Sequence, residues 1–275
     1  MPVLWIMLFL FNLGFAIFIA VPIRSLLREK AGFQNALNRS ADRFDFTFIS
    51  DFLNEYGDLV SGIANHGFLV IILYLFFFVF LTGGILDTII HRNGKFSGHH
   101  FWGHSGHYFW RMLRLMIYFG LIHLIVFILF ALFFAQQGIN PLKMETDDWI
   151  IGRARWMIPL LLLVHIIIAM VHDFIKVAIV QTDAYSMHKM IRERSSWIFR
   201  HFFSCFGLYL INIIVAGLFL LIHRQIQMVF PGVTAIGILL SFLVAQVFIF
   251  LRVGFKLVNF ASINALYHKD SAITE

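Results

Sequence analysis

Cysteine occurs once, as Cys205 inside an apolar run, so the chain can form neither an internal disulfide nor a Cys-based metal site. Charge is also scarce. Only 13% of residues are Asp, Glu, Lys or Arg, against 60% hydrophobic ones, too few to keep a soluble surface wetted. No strand-length alternation of polar and apolar residues points to a barrel. A Gly-x-Ser-x-Gly elbow, a phosphate-cradling glycine-rich loop, a His-Glu-x-x-His pair and closely spaced outward carboxylates are all missing. Catalysis by this chain alone is therefore not expected, and no internal repeat is visible.

What the chain has is six long apolar runs, at about 3–23, 67–90, 112–136, 156–178, 202–223 and 234–258. Each is near or above the roughly 20 residues a helix needs to cross hydrocarbon. The expected fold is all-α, a polytopic membrane helix bundle with about six transmembrane helices, forming a single domain over residues 1–275. The first run has no Lys or Arg ahead of it and exceeds the usual core of a secretory signal, so it reads as a retained span; cleavage near Ala16 or Ala20 is the alternative.

Charge predicts the topology. With the N-terminus cytoplasmic, segments 91–111 and 179–201 and the C-terminal tail lie inside, and the inner side, span ends included, carries twelve of the 21 basic residues with only six acids. The outer segments balance nine basic with nine acidic residues, so the formal net charge of +6 falls on the inner side. Both termini are expected to be cytoplasmic. Basic inner loops meet anionic headgroups, which explains the charge without nucleic acid.

Two polar segments have patterns of their own. Outer segment 24–66 mixes acids with large apolar residues around Phe44-Asp45-Phe46-Thr47-Phe48, as short interfacial helices do, and reads as a lid or a partner- or lipid-binding surface. Inner loop 91–111 places His100, His104 and His107 at i, i+4 and i+7, a spacing that could present a metal site on one helical face. Gly98, Gly103 and Gly106 argue against a regular helix there, and Phe101, Trp102, Phe109 and Trp110 favour a segment lying in the headgroup layer.

Ionisable residues inside the runs supply the remaining candidates. At 1.5 Å rise per residue, Asp87, Asp173 and Arg252 come to similar depth, and with Arg114 and Lys176 they form a candidate intramembrane ion cluster. His123 and His165 fall near the midplane of neighbouring antiparallel spans, with His172 on the same face seven residues after His165. These are candidate ligands for haem iron or pigment magnesium; hydrogen bonding to a neighbouring helix is the plainer reading. Gly83 and Gly84 read as close helix packing. Pro159, Asn212 and Gln246 are the hints of a broken, polar span.

Gly83-Gly-Ile-Leu-Asp87 ending the second span, the basic-aromatic loop, Phe109-Trp-Arg111-Met-Leu-Arg114 opening the third, Asp173-Phe-Ile-Lys176 and Arg200-His-Phe together resemble a group of uncharacterised bacterial six-span membrane proteins. The group is similar to the membrane region attached to some glycerophosphodiester phosphodiesterases. The chain differs in its histidine-rich loop and in Lys176-Val177, where the pattern prefers Ala-Arg. The resemblance implies a fold and a bacterial inner-membrane location, but no activity. The 34 phenylalanines, many necessarily facing lipid, suit a small subunit embedded in a larger complex. The expected function is thus a non-catalytic structural or accessory subunit that binds membrane lipids or other membrane proteins. A transporter or lipid-handling protein is the alternative, and a haem- or pigment-bearing subunit comes third.

Overall fold

In the computed structural model, residues 2–29, 46–91, 95–136, 147–229 and 235–273 are described. They form seven helices: α1 Pro2–Glu29, α2 Phe46–Ile90, α3 Gly98–Gln136, α4 Asp147–Thr182, α5 Met187–Arg200, α6 Phe202–Val229 and α7 Ala235–Ile273. No strand occurs among the described residues. All except α5 contain a stretch long and apolar enough to cross a bilayer: 2–21, 64–90, 98–133, 155–182, 202–226 and 239–268. The protein is an all-α, multi-pass membrane protein.

Several boundaries differ from those read in the sequence. The segment around Phe46–Phe48 is not a separate interfacial helix but the first turns of the 45-residue α2, while Phe44 and Asp45 lie outside the described residues. The histidine-rich stretch is helical from Gly98 onward and continuous with the third span. Its glycines do not break it, because α3 is anchored by buried Phe101, Ser105, Tyr108 and Met112 at helical spacing. The last helix passes Val258 and continues to Ile273, its buried Phe260, Ile263 and Tyr267 prolonging the apolar stripe. α4 runs unbroken through Pro159, as spans do where neighbouring groups satisfy the freed carbonyl.

The chain divides into two compact units, residues 2–78 and residues 79–275, with the boundary inside α2. In the first, α1 meets the middle of α2 through Phe11 on Phe77 and Phe15 on Tyr74, at ring-centroid separations of 4.9 and 5.3 Å. The Tyr74 hydroxyl donates to Asn12 Oδ1 at 2.9 Å, and Asn12 Nδ2 donates to the Leu8 carbonyl. In the second unit α4 is the hub, packing against α3, α5, α6 and α7. Its C-terminal half, including Met170, Phe174, Ile175, Val177 and Ile179, is buried.

The core of this second unit gathers at one end of the helices. Leu81–Ile89 of α2, Phe101–Phe119 of α3, Met170–Val180 of α4 and Leu257–Tyr267 of α7 supply its buried side chains. The opposite halves of α3, α4, α6 and α7 expose rows of Leu, Ile and Phe, among them Phe127, Leu129, Leu162, Leu218 and Leu243. Gly83 and Gly84 are what let α2 and α3 close on each other. A Cβ at Gly83 would stand 2.7 Å from Tyr108 Cβ, and one at Gly84 would stand 2.6 Å from the Phe101 carbonyl oxygen and collide with Ser105 Oγ. Only a hydrogen fits at these two positions.

Candidate functional site

A polar cleft opens at the core end, built by the last turns of α2 and the first turns of α3. Asp87 lies 4% exposed one turn after the glycine pair, and two imidazoles approach its carboxylate. His91 Nδ1 lies 3.0 Å from Oδ1, one turn along the same helix. His104 Nδ1 stands 3.4 Å from Oδ2 and 2.9 Å from the His100 carbonyl. His91 donates from Nδ1 to Asp87, whereas the one Nδ1 proton of His104 goes to the His100 carbonyl, so its 3.4 Å approach to Asp87 is a contact and not a second hydrogen bond. A buried carboxylate without a donor would be costly, and the bond from His91 offsets that cost at Asp87. The cleft encloses about 690 Å³ and is lined also by His100, His107, Tyr108 and Asp183.

Asp183 closes the far side of this cleft from the α4–α5 connector. It holds φ of 46°, the left-handed conformation that ends α4. Its own N–H reaches the Val180 carbonyl and that of Ala184 reaches the Ile179 carbonyl, the bond pair of a Schellman cap. This turn aims the carboxylate at α3, where Arg111 Nη1 donates to Oδ1 at 2.6 Å and His107 Nε2 lies 3.1 Å from the same oxygen. With Asp183 ionised, Nε2 of His107 is the donor, so its 3.3 Å approach to Arg111 Nη2 is a contact and not a second hydrogen bond. The Arg111 side chain is buried, with its guanidinium over Tyr108 at 5.2 Å and Tyr185 at 4.2 Å. The bond from Arg111, aided by that from His107, holds the Asp183 carboxyl below its ordinary pKa.

A second polar network lies inside the bundle. Asp173 of α4 accepts from Lys176 Nζ at 2.8 Å, from the Tyr209 hydroxyl of α6 at 3.3 Å and from Asn259 Nδ2 of α7 at 3.4 Å. Asn212 of α6 extends it by donating to Asn259 Oδ1 at 2.9 Å. Asp173 sits nine residues before the end of its candidate span and Asn259 nine before the end of its own, about 14 Å of helix rise in each case. The bonds thus tie three spans together at one depth.

Of the five charged residues read as one ion cluster, Asp173 and Lys176 pair directly, and the others have different neighbours. Asp87 lies beside His91 and His104, whereas Asp173 pairs with Lys176 and accepts from Tyr209 of α6 and Asn259 of α7. Arg114 turns back to the Trp110 carbonyl at 3.2 Å, and Arg252 is exposed on α7. Similar depth along the spans does not place two side chains on facing surfaces. Tyr209 and Asn259 do not stand out in the sequence because neither is charged at neutral pH; their helical register opposite Asp173 is the signal that marks them.

His123 and His165 do meet, their rings 4.9 Å apart and 26° from parallel, and His172 stacks on Phe119 at 4.7 Å. Haem iron needs two imidazoles facing each other across a porphyrin with a nitrogen aimed at the metal. Stacked rings in contact leave no space for that plane, and His165 Nδ1 is engaged by the Leu161 carbonyl at 2.9 Å. The pair does not fit a haem between them. His100, His104 and His107 share a helix face, with successive ring centroids 6.0 and 6.3 Å apart. Among the described residues, however, no three His, Cys, Asp or Glu side chains converge as a metal ion requires.

Fold and site together define a multi-pass helical membrane protein with a histidine–carboxylate cleft at one end and a buried polar tie among three spans. No family model matches the chain, and neither a curated protein nor a solved structure does.

Proposed function

We propose that the protein is a non-catalytic accessory subunit of a membrane assembly, in contact with lipid and with other membrane proteins. The observation that carries this reading is how little of four of the six spans is buried among the described residues. Only 6% of the most apolar window of 202–226 and 11% of that in 98–133 is buried. A bundle that closes on itself buries one face of each helix along its whole length. Here the outer halves have apolar faces for neighbours to occupy. Gentle extraction followed by mass measurement tests the reading: other membrane chains should accompany this one in fixed ratio, and a protein that always runs as a lone chain contradicts it.

Transport is the second reading, favoured by the Asp173 network, since a buried ionisable group joining three spans is where substrate or ion pathways are built. Asp173→Asn tests it in proteoliposomes: a flux that this change abolishes supports a pathway, and no flux in either form removes it.

A further inference from the structure

We infer that the exposed face of α5 is a binding site for the phosphate headgroup of an anionic phospholipid, a site that gives the lipid-contacting half of the proposed function a place and a lipid class. The helix is amphipathic. Met190 and Ile198 are buried, and the Trp197 ring packs at a tilt against Tyr267 of α7, centroids 4.7 Å apart. The opposite face carries His188, Lys189, Arg192, Arg200 and the adjoining His201 around a shallow cleft of about 680 Å³. Glu193 is its acid, 3.9 Å from Lys189. Among the described residues no carboxylate pairs with Arg192 or Arg200.

Position selects the occupant. α5 is joined to a membrane-spanning helix at both ends, by residues 183–186 to α4 and by His201 alone to α6. It cannot rise far from the hydrocarbon boundary, so its basic face lies at headgroup level. Phe199 and Phe203, 60% and 88% exposed, flank Arg200 with apolar surface that suits acyl chain and not water. A cationic cleft bordered by exposed rings matches an amphiphile with a phosphate head; free phosphate would leave the rings without a partner.

The test uses the full chain in nanodiscs of equimolar phosphatidylglycerol and phosphatidylcholine, with retained lipid identified by native mass spectrometry after mild extraction. Wild type is expected to retain phosphatidylglycerol preferentially. The Arg192→Gln/Arg200→Gln double variant should lose about twentyfold of that preference, at roughly fivefold per surface basic residue. Arg155→Gln, a basic residue at the other end of α4, should keep it. An unchanged preference in the double variant, or an equal loss in Arg155→Gln, overturns the site. If the double variant does not fold, Glu193→Gln decides: it should raise retention severalfold, and unchanged or lower retention overturns the site. Displacement of the lipid by millimolar inorganic phosphate would make a free anion the occupant and overturn it too. Because the same spectra report co-purifying chains, a wild type that shows no lipid preference while its partners remain bound sinks this site alone, whereas absent partners with intact wild-type preference sink the subunit reading alone.

Discussion

Asp183 does two jobs that pull on its identity in different ways. Its left-handed backbone favours Gly or Asn, while its carboxylate serves a buried guanidinium. Asp183→Asn keeps the turn and loses the charge, which should cost about 1 kcal/mol, since the carboxylate is more than half exposed and partly screened. Asp183→Ala loses both and should cost about 1 kcal/mol more. The pH dependence follows from the carboxyl being held below its ordinary value in the folded state. Such a group stabilises the fold above its unfolded pKa, and that contribution is lost as pH falls through the folded one. Thermal unfolding in detergent should therefore show wild type above Asp183→Asn at neutral pH, with the gap closing below about pH 4. A gap that widens on acidification contradicts the assignment. Gly84 is the other residue with no substitute. Gly84→Ala should cost about 1–3 kcal/mol or more by pushing Phe101 and Ser105 away, whereas Gly103→Ala, with open space at its Cβ, should be neutral or stabilising by up to about 1 kcal/mol. Equal effects of the two changes would remove the close-packing explanation.

At the scale of elements, the spans were legible because hydrocarbon imposes one pattern, a long apolar run, on whatever crosses it. Their ends were less legible. α3 begins at Gly98 and α7 runs to Ile273 because packing at the core end extends both helices beyond their apolar runs. α5 was not read at all. Its signal is the spacing Met187, Met190, Ile191 and Ile198, diluted by five intervening charged or histidine residues in a short segment. The glycine pair was legible as a type of contact, since small residues have few uses inside a span. The charged residues were legible as exceptional, but their pairing was not, because partners depend on helix rotation. Aromatic packing should hold α5 in place. Tyr267 lies under both Trp197 and Arg194, and its hydroxyl donates to the Phe174 carbonyl at 3.2 Å. Trp197→Ala should cost about 2 kcal/mol and raise amide exchange across Met187–Arg200 while leaving Met112–Phe119 protected. Uniform loss of protection would mean that α5 does not act as a separate element.

At the largest scale, the dominant fact is the uneven burial of the unit formed by residues 79–275: a packed, polar-tied end and spans whose other halves expose apolar side chains. Lipid can cover such faces, and so can other helices, at similar cost, because acyl chains are as apolar as leucine. The measurement that separates these most directly is the mass and composition of the particle extracted gently from its native membrane. The account predicts a particle heavier than one chain and its lipids, with other membrane proteins in fixed ratio. A particle containing this chain alone, active in a flux that Asp173→Asn abolishes, would contradict it.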